Sequence, residues 1–170
     1  MSLPRLSLQS YHHTVVHYIE SRDKFTLDAP YQRGSVWTDE NRRALIKSLI
    51  MGLPVGAVIV NHRGYTGDVI YSVVDGKQRV ETLRAFADDR LDVPTDWFEP
   101  EWVTDPSKPM VTYSGLTQRG QRGFEFFGIT TLEAKVKGIA AEAEIYGLIN
   151  TAGVAQTDAD IANAARVASE

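Results

Sequence analysis

The sequence predicts one mixed α/β domain of the α+β type, a small sheet with helices packed on it. Apolar residues recur at helical spacing in some stretches and form short β-branched blocks in others. The 170 residues, 43% hydrophobic and 24% charged, supply one buried core and are too few for two well-formed domains. Gly, Pro and Asn punctuate the periodic segments, without a repeat or a low-complexity tract. Residues 1–10 read as a disordered or extraneous lead and residues 11–170 as the domain.

The first clear element is a helix over 39–51. Thr38 can cap it, Asp39 and Glu40 suit its positive end, and Gly52 with Pro54 stops it. Leu45 with Leu49, and Ile46 with Ile50, form its buried stripe. Two apolar runs, 55–60 and 69–74, read as hairpin strands around the turn-like Asn61-His62-Arg63-Gly64. At Asp75-Gly76 the second strand ends and a helix follows over 78–87. The 92–114 stretch carries Pro94, Trp97, Pro100, Trp102, Pro106 and Pro109, and reads as an irregular but ordered connection. A short helix over 117–126 comes next. A strand over 129–136 then alternates Thr131, Glu133 and Lys135 with Leu132, Ala134 and Val136, which predicts one wet face. A helix over 140–149, a turn at Asn150–Gly153 and a final helix from Thr157 to Ala168 complete the chain.

Charge excludes some functions. The net charge is −4 and the pI about 5.6, against a protein that coats nucleic acid by bulk electrostatics. Between Tyr31 and Arg63, however, Arg33, Arg42, Arg43, Lys47 and Arg63 face only Asp39 and Glu40. Arg42, Arg43, Lys47 and Arg63 are therefore candidate contacts of a non-catalytic binding module to DNA phosphates or a partner protein, or else cations of a solvated face. Without cysteine there are no disulfides and no thiolate zinc sites. No apolar run approaches membrane-spanning length and the start lacks a signal peptide's apolar core, so the expected location is cytoplasmic, with no membrane partner.

The strongest local signal is VVDGKQRVETLRAF, Val73 to Phe86. A strand delivers Asp75 to its carboxyl end, Gly76 permits a tight turn, and Lys77, Gln78 and Arg79 open a helix. The first amides of a helix lack intrahelical acceptors and the dipole adds positive charge, which suits phosphate. Arg79 can offer a planar fork to phosphate oxygens, and Asp75 can hold a cation, orient water or accept a proton. The same residues fit a plainer arrangement in which Asp75 caps the helix and Arg79 pairs with a carboxylate. A Walker loop is excluded, because Gln78 follows Gly76-Lys77 where Ser or Thr is required. A second constellation, PYQRGSVW from Pro30 to Trp37, sets Arg33 between aromatics, where it is either aimed at an anion or covers the core edge.

These motifs in this order resemble the GmrSD-type N-terminal domain family of the ParB/sulfiredoxin-like superfamily. Its signature reads YQR-x-x-VW early and DGQQR-x-T-T-L later. The likeness extends through Leu116, Arg119 and Phe124 to AEIYGLINTAGVAQTDADIANA, Ala143 to Ala164, and covers about Tyr11 to Ala164. It implies a domain that binds, and in several members hydrolyses, a nucleoside triphosphate with Mg²⁺, in systems acting against foreign or modified DNA.

Carried over by position, Asp75, Gly76, Gln78 and Arg79 match the central motif, Thr82 and Leu83 its trailing positions, and Arg33 and Trp37 the early motif. Asn150 and Gly153 match the later turn. Lys77, Glu81 and Ala152 depart from the family pattern. The resemblance implies Asp75, Gln78 and Arg79 as catalytic residues, with Asp75 also on the metal. It implies Arg33, Gly76, Lys77, Thr82 and Asn150 as nucleotide-binding residues. All four histidines lie at or before His62, so a separate nuclease or effector subunit is expected as partner, and the oligomeric state is open.

Two weaker constellations complete the reading. His13 and His17 are four apart, as metal ligands on a helix can be, but without an evident third ligand they read as surface residues. Glu133-Ala134-Lys135, with Asp105 upstream, has the residue types of a metal-dependent nuclease and equally those of a wet strand.

Overall fold

The computed structural model describes residues 6–32, 34–64 and 67–152. Its centre is a five-stranded mixed sheet, in spatial order β1 (Gln9–Thr14), β7 (Gly128–Ala134), β3 (Val58–His62), β4 (Tyr71–Asp75) and β2 (Phe25–Thr26). β1 runs antiparallel to β7, β3 antiparallel to β4, and the β7–β3 and β4–β2 pairs are parallel. The expected α+β class and the β3–β4 hairpin are both present.

Period-2 alternation divides the sheet's side chains between two cores. Val58, Val60 and Val73 face a large core closed by α1 (Val15–Glu20), α2 (Asp39–Ile50), α3 (Lys77–Ala87) and α4 (Gln118–Glu125). Ile59, Val74 and Ala134 face a smaller one, covered by Ile145 of α5 (Ile139–Ala152) with Tyr146 and Ile149 beside it. Leu45, Ile46 and Leu49 of α2 are buried as its spacing predicts, and Thr38 caps it reciprocally with Asn41. The short strands β5 (Val93–Pro94) and β6 (Met110–Val111) pair within the Pro- and Trp-rich connection, which is ordered. Trp97 and Trp102 pack against the main core, and Lys47 lies 5.4 Å above the Trp97 ring.

Several expectations are corrected. The sheet begins at Gln9, inside the segment read as a lead. Asn61 and His62 belong to β3 rather than to a turn; Asn61 is buried, and its amide binds Val136 and Glu142. The predicted wet face of β7 is covered. Thr131 is 2% exposed and Glu133 7%, because β7 is an interior strand and Tyr18 of α1 bonds Thr131 Oγ1 at 2.5 Å. α5 continues through Asn150 to Ala152, and the expected final helix lies outside the described residues.

Candidate functional site

The strand–turn–helix unit predicted at DGKQR is present. Val73 and Val74 are fully buried and fix the end of β4. Gly76 then takes φ 93° and ψ 14°, a left-handed conformation, as the N-cap of α3. A Cβ there would stand 3.1 Å from both Val58 Cγ2 and Arg79 Nη1, so both the turn and the packing require glycine. Asp75 is therefore not the cap. α2 and α4 are closed by Thr38 and Thr117, whereas no side chain caps α3 and its first turn holds no acid. The amides of Lys77, Gln78 and Arg79 thus open α3 with no side-chain cap.

That end faces a cavity of about 210 Å³. Asp75, Gly76, Lys77, Gln78 and Arg79 line it from one side, Gln32, Gly34 and Trp37 from the early motif, and Tyr146 with Asn150 from α5. Three sequence-distant motifs thus meet at one place. Thr82 does not join them: it is fully buried, and its hydroxyl donates to the Gln78 carbonyl of its own helix at 2.7 Å. Glu81 also lies off the cavity lining. Arg33 lies outside the described residues, as does Gly153.

Most of the polar side chains lining the cavity have partners; the Gln32 Oε1, buried, has none. Arg79 Nη1 donates to Asp75 Oδ2 at 3.3 Å and to the Ala57 carbonyl at 3.2 Å. Its guanidinium lies against Gly56, where a Cβ would approach Nη2 to 3.0 Å. The Gln78 side-chain oxygen accepts from Ser35 Oγ at 2.9 Å and from the amides of Trp37 and Val36 at 3.2 and 3.3 Å. It clamps the early-motif loop to the helix start instead of standing free for water. Lys77 Nζ is 3.3 Å from Asp28 and 3.9 Å from Glu81. Asn150 Nδ2 donates to the Tyr146 carbonyl at 2.8 Å, one turn back on α5.

Two further residues fix the site: Gln32, present in the early motif but given no role from the sequence, and Glu142, which no motif singled out. Gln32 Nε2 donates to the Val73 and Val74 carbonyls at 2.6 and 3.0 Å, tying the early motif to the end of β4. Glu142, 1% exposed, accepts from Arg63 at 2.7 and 2.8 Å, from Asn61 at 2.8 Å and from the Tyr31 hydroxyl at 3.0 Å. Burial alone would raise its pKa, but the bonds from Arg63, Asn61 and Tyr31 outweigh it and hold the carboxyl at about 2. Burial, with the Glu142 charge beside it, pushes Tyr31 up to about 12.

The four candidate DNA-contacting cations are spread out and engaged. Arg63 belongs to the Glu142 network, Arg43 Nη2 is 2.6 Å from Asp92, Lys47 lies over Trp97, and Arg42 is 3.6 Å from Asp39. The nuclease constellation does not assemble. Lys135 pairs with Glu133 at 3.4 Å, and the Asp105 carboxylate is taken by Ser107. His13 stands in β1 and His17 in α1, with rings stacked at 4.1 Å. Among the described residues no three His, Cys, Asp or Glu side chains converge as metal ligands, and no helix is long and apolar enough to cross a membrane.

The family model described as GmrSD restriction endonuclease, N-terminal domain, matches residues 15–166. Comparison with curated proteins gives no match. Among solved structures, the chain is similar to the C-terminally truncated chromosome-partitioning protein ParB from Caulobacter crescentus, complexed with CTP-γ-S. The TM-score is 0.51 at 12% identity, over 94% of this chain and 62% of that one. At that identity the likeness is one of fold.

Proposed function

Because this chain belongs to the GmrSD restriction endonuclease N-terminal domain family, we propose that it is the nucleotide-binding part of a DNA-restriction system. It binds a nucleoside triphosphate with the phosphates at the start of α3. The observation that carries this reading is the uncapped α3 N-terminus opening, beside Arg79, into a cavity bounded by the early motif and α5. The nucleotide-bound ParB structure of similar fold supports the class of ligand.

On arrival of the triphosphate, Arg79 exchanges Asp75 for a phosphate oxygen, a stronger bidentate partner. Asp75, released, becomes the carboxylate able to accept a proton, and phosphoryl transfer would then rest on positioning and electrostatics. Gln78 holds the 34–37 loop over the phosphates. Lys77 and Asn150 are the remaining polar contacts, and Arg33 keeps the role implied by the family motif.

Magnesium finds one protein carboxylate here, Asp75, and no converging set of three ligands among the described residues. The described residues build no resident metal cage, so magnesium would enter with the triphosphate and take most of its ligands from phosphate and water. Cleavage of DNA belongs, in this reading, to a separate nuclease or effector partner.

The test is a panel of ATP, GTP, CTP and UTP, each with Mg²⁺, read by thermal shift and by phosphate release. At least one is expected to raise Tm. No shift with any of the four would remove the proposal, and a shift without phosphate release would restrict it to binding.

A further inference from the structure

A second cavity, about 420 Å³, lies on the other flank of α3. It is lined by four arginines (Arg22, Arg42, Arg84 and Arg90) together with Ser35 and Glu81. We propose that it is a second anion site, which takes a phosphate-bearing anion: either a free oligophosphate or a backbone phosphate of nucleic acid. The inference does not rest on the nucleotide reading, since no arginine of this cavity lines the one at the start of α3.

Four separate segments bring the arginines together. Arg22 stands in the short 3₁₀ turn after α1, Arg42 on α2, Arg84 on α3 three residues from Glu81, and Arg90 just beyond the turn that ends α3. Their carboxylate partners do not match them in number or in place. Asp88 is shared, at 3.0 Å from both Arg22 and Arg90. Asp39 is 3.6 Å from Arg42, with its side chain 59% exposed against 26% for the arginine, a loose surface pair. Glu81 leans toward Lys77 at 3.9 Å. Arg84 has no carboxylate within ion-pair distance among the described residues. Its Nε donates to the Tyr18 carbonyl at 3.0 Å and its Nη2 to the Arg22 carbonyl at 3.5 Å.

A half-buried guanidinium held only by carbonyls, with another arginine beside it, is electrostatically costly. Burial first, then the Arg22 charge, acts against its protonated form and outweighs the opposing Asp88 and Glu81 charges. An anion in the cavity relieves that cost. Planar forks from several directions suit tetrahedral oxyanions better than a single carboxylate, and the apolar floor of Leu27 and Ala85 strengthens the attraction. Ser35 accepts from Arg42 Nη2 at 3.2 Å and gives its own proton to Gln78, so the donors offered to an anion are the arginines.

The experiment measures binding of tripolyphosphate and of a labelled 20-base-pair duplex, at low salt, to the wild-type chain and to Arg42→Ala/Arg90→Ala. Both side chains reach solvent, so their truncation leaves the core intact, and an unchanged melting temperature checks this. The double variant is expected to raise the Kd of the bound probe at least about tenfold, with a shallower salt dependence. Loss confined to tripolyphosphate assigns the site to free oligophosphate, and loss confined to the duplex assigns it to nucleic acid. Equal affinity of variant and wild type, or no binding of either probe to the wild type at millimolar concentration, overturns the proposal.

Discussion

Arg79 Nη1 lies 3.3 Å from Asp75 Oδ2, one helical turn apart across Gly76. The acid and the base of the DGKQR motif neutralise each other at the mouth of the cavity that both line. A polyanion entering there competes with Asp75 for the guanidinium, and this exchange yields opposite expectations for the two residues.

Arg79→Ala is expected to abolish the nucleotide-dependent rise in Tm, and to cost about 1 kcal/mol by losing its bonds to Ala57 and Asp75. Asp75→Asn removes the competing charge and is expected to tighten nucleotide binding severalfold while ending any phosphate release. Titration calorimetry separates the two. Wild-type affinity in Arg79→Ala, or weaker affinity in Asp75→Asn, would contradict the exchange.

Gln78→Ala removes the acceptor shared by Ser35 Oγ and the amides of Val36 and Trp37. The 34–37 loop is expected to become more susceptible to chymotrypsin near Trp37, with nucleotide no longer protecting it. A time course by mass spectrometry checks this, and cleavage as slow as in wild type would show that Gln78 is not the clamp.

Glu142 makes stability depend on acid. Its folded pKa, about 2, lies below its ordinary value of 4.5. The stabilisation is therefore fully present above about pH 4.5 and is lost as pH falls through 2, a contribution of roughly 3 kcal/mol. Glu142→Gln should be destabilised by a similar amount at pH 7 and should converge with wild type near pH 2. Urea unfolding across that range measures the difference; parallel curves for the two proteins would refute the assignment.

Gly76→Ala places a Cβ at φ 93°, 3.1 Å from Val58 and Arg79. A loss of about 1–3 kcal/mol is expected, with the nucleotide response weakened because the helix start must shift. Wild-type stability in thermal unfolding would show that the turn tolerates a side chain.

Much of the fold was legible because its signals are local. The Leu45–Leu49 spacing with Thr38 before it, the β-branched Val73-Val74 and the Asp75-Gly76 break each reflect physics acting within about ten residues. β1 and α1 were missed because Tyr11-His12-His13 has no apolar alternation. β1 lies at a sheet edge with Gln9 to His12 exposed, and only its pairing with β7 makes it a strand. The wet face expected of β7 failed for a related reason: Thr131 and Glu133 have the residue types of a solvated strand, but β7 lies inside the sheet, and Tyr18 of α1 bonds Thr131 from above.

By itself the sequence determined that a strand, a glycine turn and an amphipathic helix follow one another at residues 71–87, and that an acid, an amide and an arginine sit at the bend. Only the tertiary structure decided what those groups do. Gln32 reaches Val73 across 41 residues, and Tyr31 reaches Glu142 across 111. Arg79 turns to Asp75, Gln78 to the early loop, and Thr82 into the core. Periodicity records which face of an element is buried, whereas the partner of a polar group depends on which distant segment the sheet order brings beside it.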